Sequence, residues 1–138
     1  MKRSVLAVAV GFVTIAALSI STDLLVRAAW PGAFDARGRT DSVALLLLTI
    51  AYVGVFAIGG CYLAARLAPD RPMRHALVLG GLGLAFSVAG TAAAWATAPV
   101  WYHLVSLLLV MPYAWLGGWL RERQLGSAGA LRPAVGVA

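Results

Sequence analysis

The sequence predicts an all-α membrane protein with four transmembrane helices in a compact antiparallel bundle. Of its 138 residues, 62% are hydrophobic and only 12% are charged, whereas soluble proteins average about 25% charged residues. A soluble domain with so few charges would expose large apolar patches and aggregate. The apolar residues also fall into four blocks, each near the roughly 20 helical residues that cross a bilayer core about 30 Å thick.

Four spans are predicted within one transmembrane domain, residues 1–123, and they cover residues 5–27, 43–66, 75–98 and 100–121. Short connections that contain Pro31, Pro69 and Pro72 separate the first three spans. Pro99 opens the fourth, where its missing N–H costs little. Residues 124–138 are rich in Gly, Ala and Pro, and we expect them to form a disordered cytoplasmic tail.

The first span has an alternative interpretation as a secretory signal. A basic start, an apolar stretch and the small residues at 17–19 are typical of a signal peptide with its cleavage site. Apolar helix continues without a break through Leu24, Leu25 and Val26. This continuity favours a first span that stays in the protein, although the sequence leaves both interpretations open.

The distribution of Lys and Arg predicts that both termini face the cytoplasm. Eight basic residues lie at the end of the bundle that carries the termini: Lys2, Arg3, Arg66, Arg71, Arg74, Arg121, Arg123 and Arg132. Three lie at the other end, Arg27, Arg37 and Arg39, and Asp23, Asp35 and Asp41 offset them. Because basic residues concentrate in cytoplasmic loops, we expect a multi-pass protein of a bacterial inner (cytoplasmic) membrane, with N-in/C-in topology.

The net charge of +6 is therefore interpreted as a topology signal and as contacts to anionic lipid headgroups. Nucleic acid is not an expected partner, because the sequence has no basic stripe interleaved with aromatics and no known binding module.

The apolar parts of the four predicted spans contain no charged side chain and no histidine. No Asp, Glu, Lys, Arg or His lies in residues 5–22, 43–65, 76–98 or 104–120, although ion-coupled transporters and proton relays normally carry such a group within the membrane. The single Cys61 cannot build a zinc site alone. His75 lies at the start of the third span and His103 near the start of the fourth, at opposite ends of the bundle and roughly 35 Å apart. The two therefore cannot ligate one haem within a monomer. We assign no catalytic residue, metal or cofactor.

One candidate pocket lies at the outer ends of the helices. Asp23 and Arg27 have the i,i+4 spacing that allows pairing on one helix face. The candidate residues are Asp23, Arg27, Asp35, Arg39, Asp41, Trp101, Tyr102 and His103. Two simpler interpretations also fit: an ion-pair network that pins the first loop, and aromatic and histidine side chains that sit at the membrane interface.

The third span carries small residues at spacings of three and four, namely Gly80, Gly83, Ser87, Gly90 and Thr91. Small residues allow the close backbone contacts on which helix association in lipid depends. We therefore expect this helix to be the central packing element, against a partner within the chain or in another subunit.

Several short segments carry a resemblance to other proteins: residues 60–69 (GCYLAARLAP), 71–72 (RP), 74–77 (RHAL), 99–104 (PVWYHL) and 116–118 (LGG). They resemble a family of uncharacterised small four-helix bacterial inner-membrane proteins. The resemblance extends over most of residues 4–121 and implies the same topology. It implies no activity, because none is established for that family.

Three functions fit this sequence. The leading hypothesis is a non-enzymatic accessory subunit or oligomeric scaffold, whose partners are the lipid bilayer and either itself or a larger membrane complex. The alternative is a small oligomeric channel or transporter for a neutral or lipophilic solute. The third is an outer-face quinone-binding protein or enzyme with a site near Asp23, Asp41 and His103.

Overall fold

The computed structural model describes residues 2–68 and 70–130, and within them the chain forms four long α-helices and no β-strand. The helices are α1 (Lys2–Ala29), α2 (Val43–Leu67), α3 (Pro72–Ala93) and α4 (Val100–Ala130), with short 3-10 turns at Pro31–Ala33 and Trp95–Thr97. The shortest helix, α3, has 22 residues, which at 1.5 Å per residue gives about 33 Å. All four are long and apolar enough to cross a membrane. The predicted four-span, all-α class is confirmed, and the chain is a multi-pass membrane protein.

Lipid is the solvent that the surface of the bundle requires. The buried core is small and consists of Cys61, Ala64, Ala65, Ala76, Leu79 and Ala114. Large apolar side chains point outward instead, with Leu25 69% and Leu108 74% exposed. In water such faces would drive aggregation, whereas acyl chains solvate them at no cost.

Glycines set the closest approaches between helices. A Cβ atom on Gly11 of α1 would lie 2.7 Å from the carbonyl oxygen of Gly60 in α2. A Cβ atom on Gly117 of α4 would lie 2.6 Å from the carbonyl oxygen of Ile58, also in α2. Both distances are too short for a real side chain, so only glycine permits these contacts.

The expectation that α3 is the central packing element is wrong. α2 packs tightly against both α1 and α4, and α4 packs tightly against both α2 and α3. The buried residues of α3 are confined to its first half, at Ala76, Leu79 and Gly80. The second half of α3 therefore contributes no buried residue to the core.

Two boundaries differ from the predicted ones by five residues or more. α3 ends at Ala93, not at residue 98, because Ala98 precedes a proline and is extended, a conformation that the proline ring enforces on its neighbour. α4 continues to Ala130, so the disordered tail predicted from residue 124 is corrected for residues 124–130. The Tyr62 hydroxyl donates to Gln124 Oε1 at 2.7 Å and supports this extension. The remainder of the predicted tail, residues 131–138, lies outside the described residues.

The bundle has two ends, which we call the terminal end and the loop end. The terminal end holds the starts of α1 and α3 and the ends of α2 and α4; the loop end holds the two connections at residues 30–42 and 94–99. At the loop end these connections are joined, because the Thr40 N–H donates to the Thr97 carbonyl at 3.2 Å. Ser42 is the residue before α2, and its side chain makes no capping hydrogen bond.

Candidate functional site

A cavity of about 470 Å³ lies between the four helices, from the middle of the bundle to the loop end. All four helices contribute to its wall, with Ile15 and Asp23 from α1 and the remaining lining from α2, α3 and α4. Along α3 it extends from Leu79 to Thr91, about 18 Å at the rise of an α-helix. Its volume is within the range of roughly 300–1,000 Å³ that is usual for small-molecule sites.

The polar groups of this cavity are concentrated toward the loop end. They are Asp23, Thr49, Ser87, Thr91, Tyr102, His103 and Ser106. The deeper part is lined mainly by apolar side chains, among them Ile15, Ala57, Leu79 and Val110, with the phenol ring of Tyr113 beside them. The cavity is therefore amphipathic along the membrane normal.

Asp23 is the carboxylate of the cavity. It is half-buried and accepts a hydrogen bond from the Tyr52 hydroxyl of α2. The same tyrosine oxygen lies 3.4 Å from Thr49 Oγ1. Asp23 also lines a smaller adjoining cavity of about 130 Å³, so the carboxylate stands where two spaces meet.

The predicted pairing of Asp23 with Arg27 does not occur. Arg27 turns to the loop instead, with its guanidinium carbon 4.8 Å above the centre of the Phe34 ring. Within the described part of the chain, the ion pair that forms is between Arg39 and Asp41. Tyr52 supplies the partner of Asp23 that the sequence prediction assigned to Arg27.

His103, for which the sequence also allowed a position at the membrane interface, is a buried residue of the cavity wall. It is 4% exposed, and its ring stacks on Trp95 with 5.0 Å between ring centres. Its Nε2 lies 3.1 Å from the Trp95 carbonyl oxygen. A carbonyl oxygen can only accept, so Nε2 carries the proton, and in the neutral ring Nδ1 remains as an acceptor. Its neighbour Tyr102 also lines the cavity.

Besides Arg27, four other predicted pocket residues lie outside this cavity. Trp101 is exposed and meets the Tyr102 ring edge-on. Asp35, Arg39 and Asp41 belong to the first loop. Asp35 Oδ1 accepts the N–H groups of Arg37 and Arg39, each at 2.8 Å.

An ion pair and hydrogen bonds between residues that are close in the sequence hold the first loop in place. Arg39 Nη2 lies 2.6 Å from Asp41 Oδ1, and its Nη1 donates to the Ala96 carbonyl at 3.1 Å. The N–H group of Arg39 lowers the pKa of the Asp35 carboxyl, and the hydrogen bond to Asp41 raises the pKa of Arg39. These residues form the loop-pinning network that was the simpler interpretation of the sequence.

The small residues of α3 separate into two groups. A Cβ atom on Gly80 would collide with the Cβ of Ala114, so Gly80 packs as predicted. Gly83 has Val110 Cγ1 as the nearest atom, at 3.8 Å from an added Cβ, and Gly90 has nothing within 4 Å. Gly83, Ser87, Gly90 and Thr91 therefore line the cavity and leave space where the sequence predicted a close helix contact.

The sequence prediction missed Thr49, Tyr52 and Ser106, which complete the polar part of the cavity and its margin. A signal for them exists in the sequence: hydroxyl side chains fall at similar heights in α2, α3 and α4. Among the residues that the structure describes, no group of three or more His, Cys, Asp or Glu side chains could hold a metal ion.

No protein-family model, curated protein or solved structure matches the chain.

Proposed function

We propose that this multi-pass protein binds a small lipophilic molecule that carries a hydrogen-bond donor, in the cavity between its four helices. Such a site is what a transporter for a lipophilic solute requires. We place it in a bacterial inner membrane with both termini in the cytoplasm, and we retain the resemblance to small four-helix bacterial membrane proteins as part of the proposal. The observation that carries the proposal is the amphipathic cavity itself.

The arrangement of groups supports a ligand with one polar end. Its hydrocarbon part would lie against Ile15, Leu79 and Val110, and its polar group would lie at the loop end of the cavity. A polar group removed from water needs partners, because an unpaired one costs several kcal/mol in lipid. The Asp23 carboxylate accepts hydrogen bonds, which favours a ligand that donates, such as an alcohol or a protonated amine.

The same geometry favours a solute-binding function over a scaffold function. The scaffold hypothesis depended on the small residues of α3 as a face for partners, and most of them turn into the cavity instead. The third hypothesis, an outer-face quinone-binding protein or enzyme, placed its site near Asp23, Asp41 and His103, of which Asp23 and His103 line the cavity. Asp41 is exposed and pairs with Arg39, which gives it a structural role in the loop.

The test uses the protein in detergent micelles with decan-1-ol and decylamine as probes and decane as the probe without a donor. We expect the two donors to raise the unfolding temperature, since a ligand that binds only the folded state stabilises it. Decane should do so much less at the same mole fraction in the micelle.

Two leucine variants make the test specific to the cavity. Gly83→Leu places its side chain in the cavity, whereas Gly81→Leu points away from it, where nothing lies within 4 Å of an added Cβ. Stabilisation by decan-1-ol should disappear in Gly83→Leu and persist in Gly81→Leu. Equal stabilisation of both variants would show that the probes act on the micelle and not on a site.

A third variant tests the polar end. Asp23→Asn removes the charge and keeps the shape of the side chain. It should weaken the binding of decylamine about tenfold, equivalent to ~1.4 kcal/mol, and weaken the binding of decan-1-ol less. If decylamine binds the variant as tightly as the parent protein, Asp23 is not the acceptor.

A further inference from the structure

A second and larger hollow lies between α1 and α3 at the terminal end of the bundle. It encloses about 1190 Å³, and its walls are mostly apolar: Val5, Val8 and Phe12 on α1, and Val78, Leu82 and Phe86 on α3. α1 and α3 pack against each other far more loosely than α1 and α2 or α3 and α4. The rings of Phe12 and Phe86, 5.0 Å apart, bridge the two helices within this groove.

The mouth of the groove carries an excess of positive charge. Arg71, Arg74 and His75 line it, with Asp70 as the one carboxylate among the lining residues. Both arginines are exposed. Arg71 precedes α3 with a left-handed backbone, φ 47°, and its carbonyl lies 3.2 Å from His75 Nδ1. This contact holds the histidine ring against the backbone turn that begins α3.

The depth of the groove fits one leaflet of a bilayer. From Arg74 to Phe86 the axis of α3 rises about 18 Å. Half of a hydrocarbon core about 30 Å thick is roughly 15 Å. With its apolar walls among the acyl chains of one leaflet, the groove therefore has its basic mouth at the level of the headgroups of that leaflet.

We propose that this groove is a binding site for an anionic phospholipid. The phosphate lies on Arg71 and Arg74, and an acyl chain lies between α1 and α3 up to the Phe12–Phe86 pair. Arginine binds phosphate through two parallel hydrogen bonds, and basic residues beside a membrane attract anionic lipid. The site is separate from the central cavity, so this inference does not depend on the function proposed for that cavity.

The headgroup part is tested by native mass spectrometry of the full chain in micelles with equal amounts of phosphatidylglycerol and phosphatidylcholine of the same acyl chains. The parent protein should retain phosphatidylglycerol preferentially. Arg74→Gln should lower that preference at least about tenfold, the effect of losing one hydrogen bond to a charged group. The control is Arg66→Gln, which removes an exposed arginine at the same end of the bundle but outside the groove, and it should leave the preference unchanged.

The acyl-chain part is tested with a pair of valines on α3. Val78 lines the groove and is 49% exposed, and Val88 is 51% exposed but lies outside it. Val78→Trp should reduce bound phosphatidylglycerol severalfold, whereas Val88→Trp should not. Both variants place their new ring in a lipid-facing position, and equal unfolding temperatures would show that both fold.

Three results would overturn the proposal. One is equal retention of the two lipids by the parent protein. Another is an equal loss of preference in Arg74→Gln and Arg66→Gln, which would indicate attraction to the whole basic surface. The third is a dimer that Val78→Trp dissociates without a change in bound lipid, which would assign the groove to a second copy of the chain.

Discussion

The contact between α1 and α2 can be tested with two adjacent glycines of α2. A Cβ atom on Gly60 would collide with the Ile15 side chain and lie 2.9 Å from the Gly11 carbonyl oxygen. A Cβ atom on Gly59 would have nothing within 4 Å. Gly60→Ala and Gly59→Ala therefore make the same chemical change in neighbouring positions, one inside the helix contact and one facing outward.

The expected difference follows from these distances. To reach ordinary contact at 3.4 Å or more, the Gly11 carbonyl of α1 must retreat, and a helix backbone cannot do so alone. Overpacking of this kind costs about 1–3 kcal/mol. The gain in helix propensity, up to about 1 kcal/mol for each Gly→Ala change, is common to both variants and cancels in the comparison.

The assay is reversible unfolding in mixed micelles by titration with sodium dodecyl sulfate, followed by tryptophan fluorescence. Gly60→Ala should be less stable than Gly59→Ala by about 1–3 kcal/mol. The reasoning would be refuted by equal stability of the two variants, or by a more stable Gly60→Ala, because either result would mean that α1 and α2 do not approach through Gly60.

Two other predictions concern hydrogen bonds at the loop end. Tyr52→Phe removes the donor to Asp23. It should lower the free energy of unfolding by about 1.5–3 kcal/mol, as for other hydrogen bonds to charged groups. Unfolding in the same micelles measures this difference, and an unchanged free energy of unfolding would contradict the prediction. The N–H groups of Arg39 and Arg37 lower the pKa of Asp35 from the usual 3.8. The loop is therefore stabilised above that value and loses the stabilisation as the pH falls through the lower, folded-state pKa. Amide exchange at Arg37 and Arg39 should be slower in the parent protein than in Asp35→Asn near pH 6, and the difference should vanish near pH 2; a difference that persists in acid would be inconsistent with an ionised Asp35.

Much of the fold was predictable because length and hydropathy determine which segments can cross a membrane. The starts of α2 and α4 agree with the predicted spans at Val43 and Val100. The end of α3 was less predictable, because residues 94–98 are as apolar as the helix before them. The helix ends where Ala94 leaves the helical conformation, at φ −111° and ψ 23°, and Ala98 before Pro99 is extended.

The candidate site was predictable only in part. Asp23, Tyr102 and His103 were expected at one place, and the structure brings them to one cavity. The rotation of α3 about its axis could not be read from its sequence, since a stripe of small residues fits a close contact and a cavity wall equally well. Gly80 and Gly83 illustrate this, because they lie on the same face and one packs while the other does not.

The central claim is that the bundle encloses a cavity that small lipophilic molecules can enter. Cys61, the single cysteine of the chain, lines that cavity and is 3% exposed, so its alkylation by N-ethylmaleimide reports entry directly. Because the thiolate is the reacting form and burial disfavours it, the reaction is followed at alkaline pH. The account predicts that the folded protein then reacts measurably, that Gly83→Leu slows the reaction, and that Gly81→Leu leaves the rate unchanged. Equal rates in the two leucine variants would contradict the cavity as the route to Cys61.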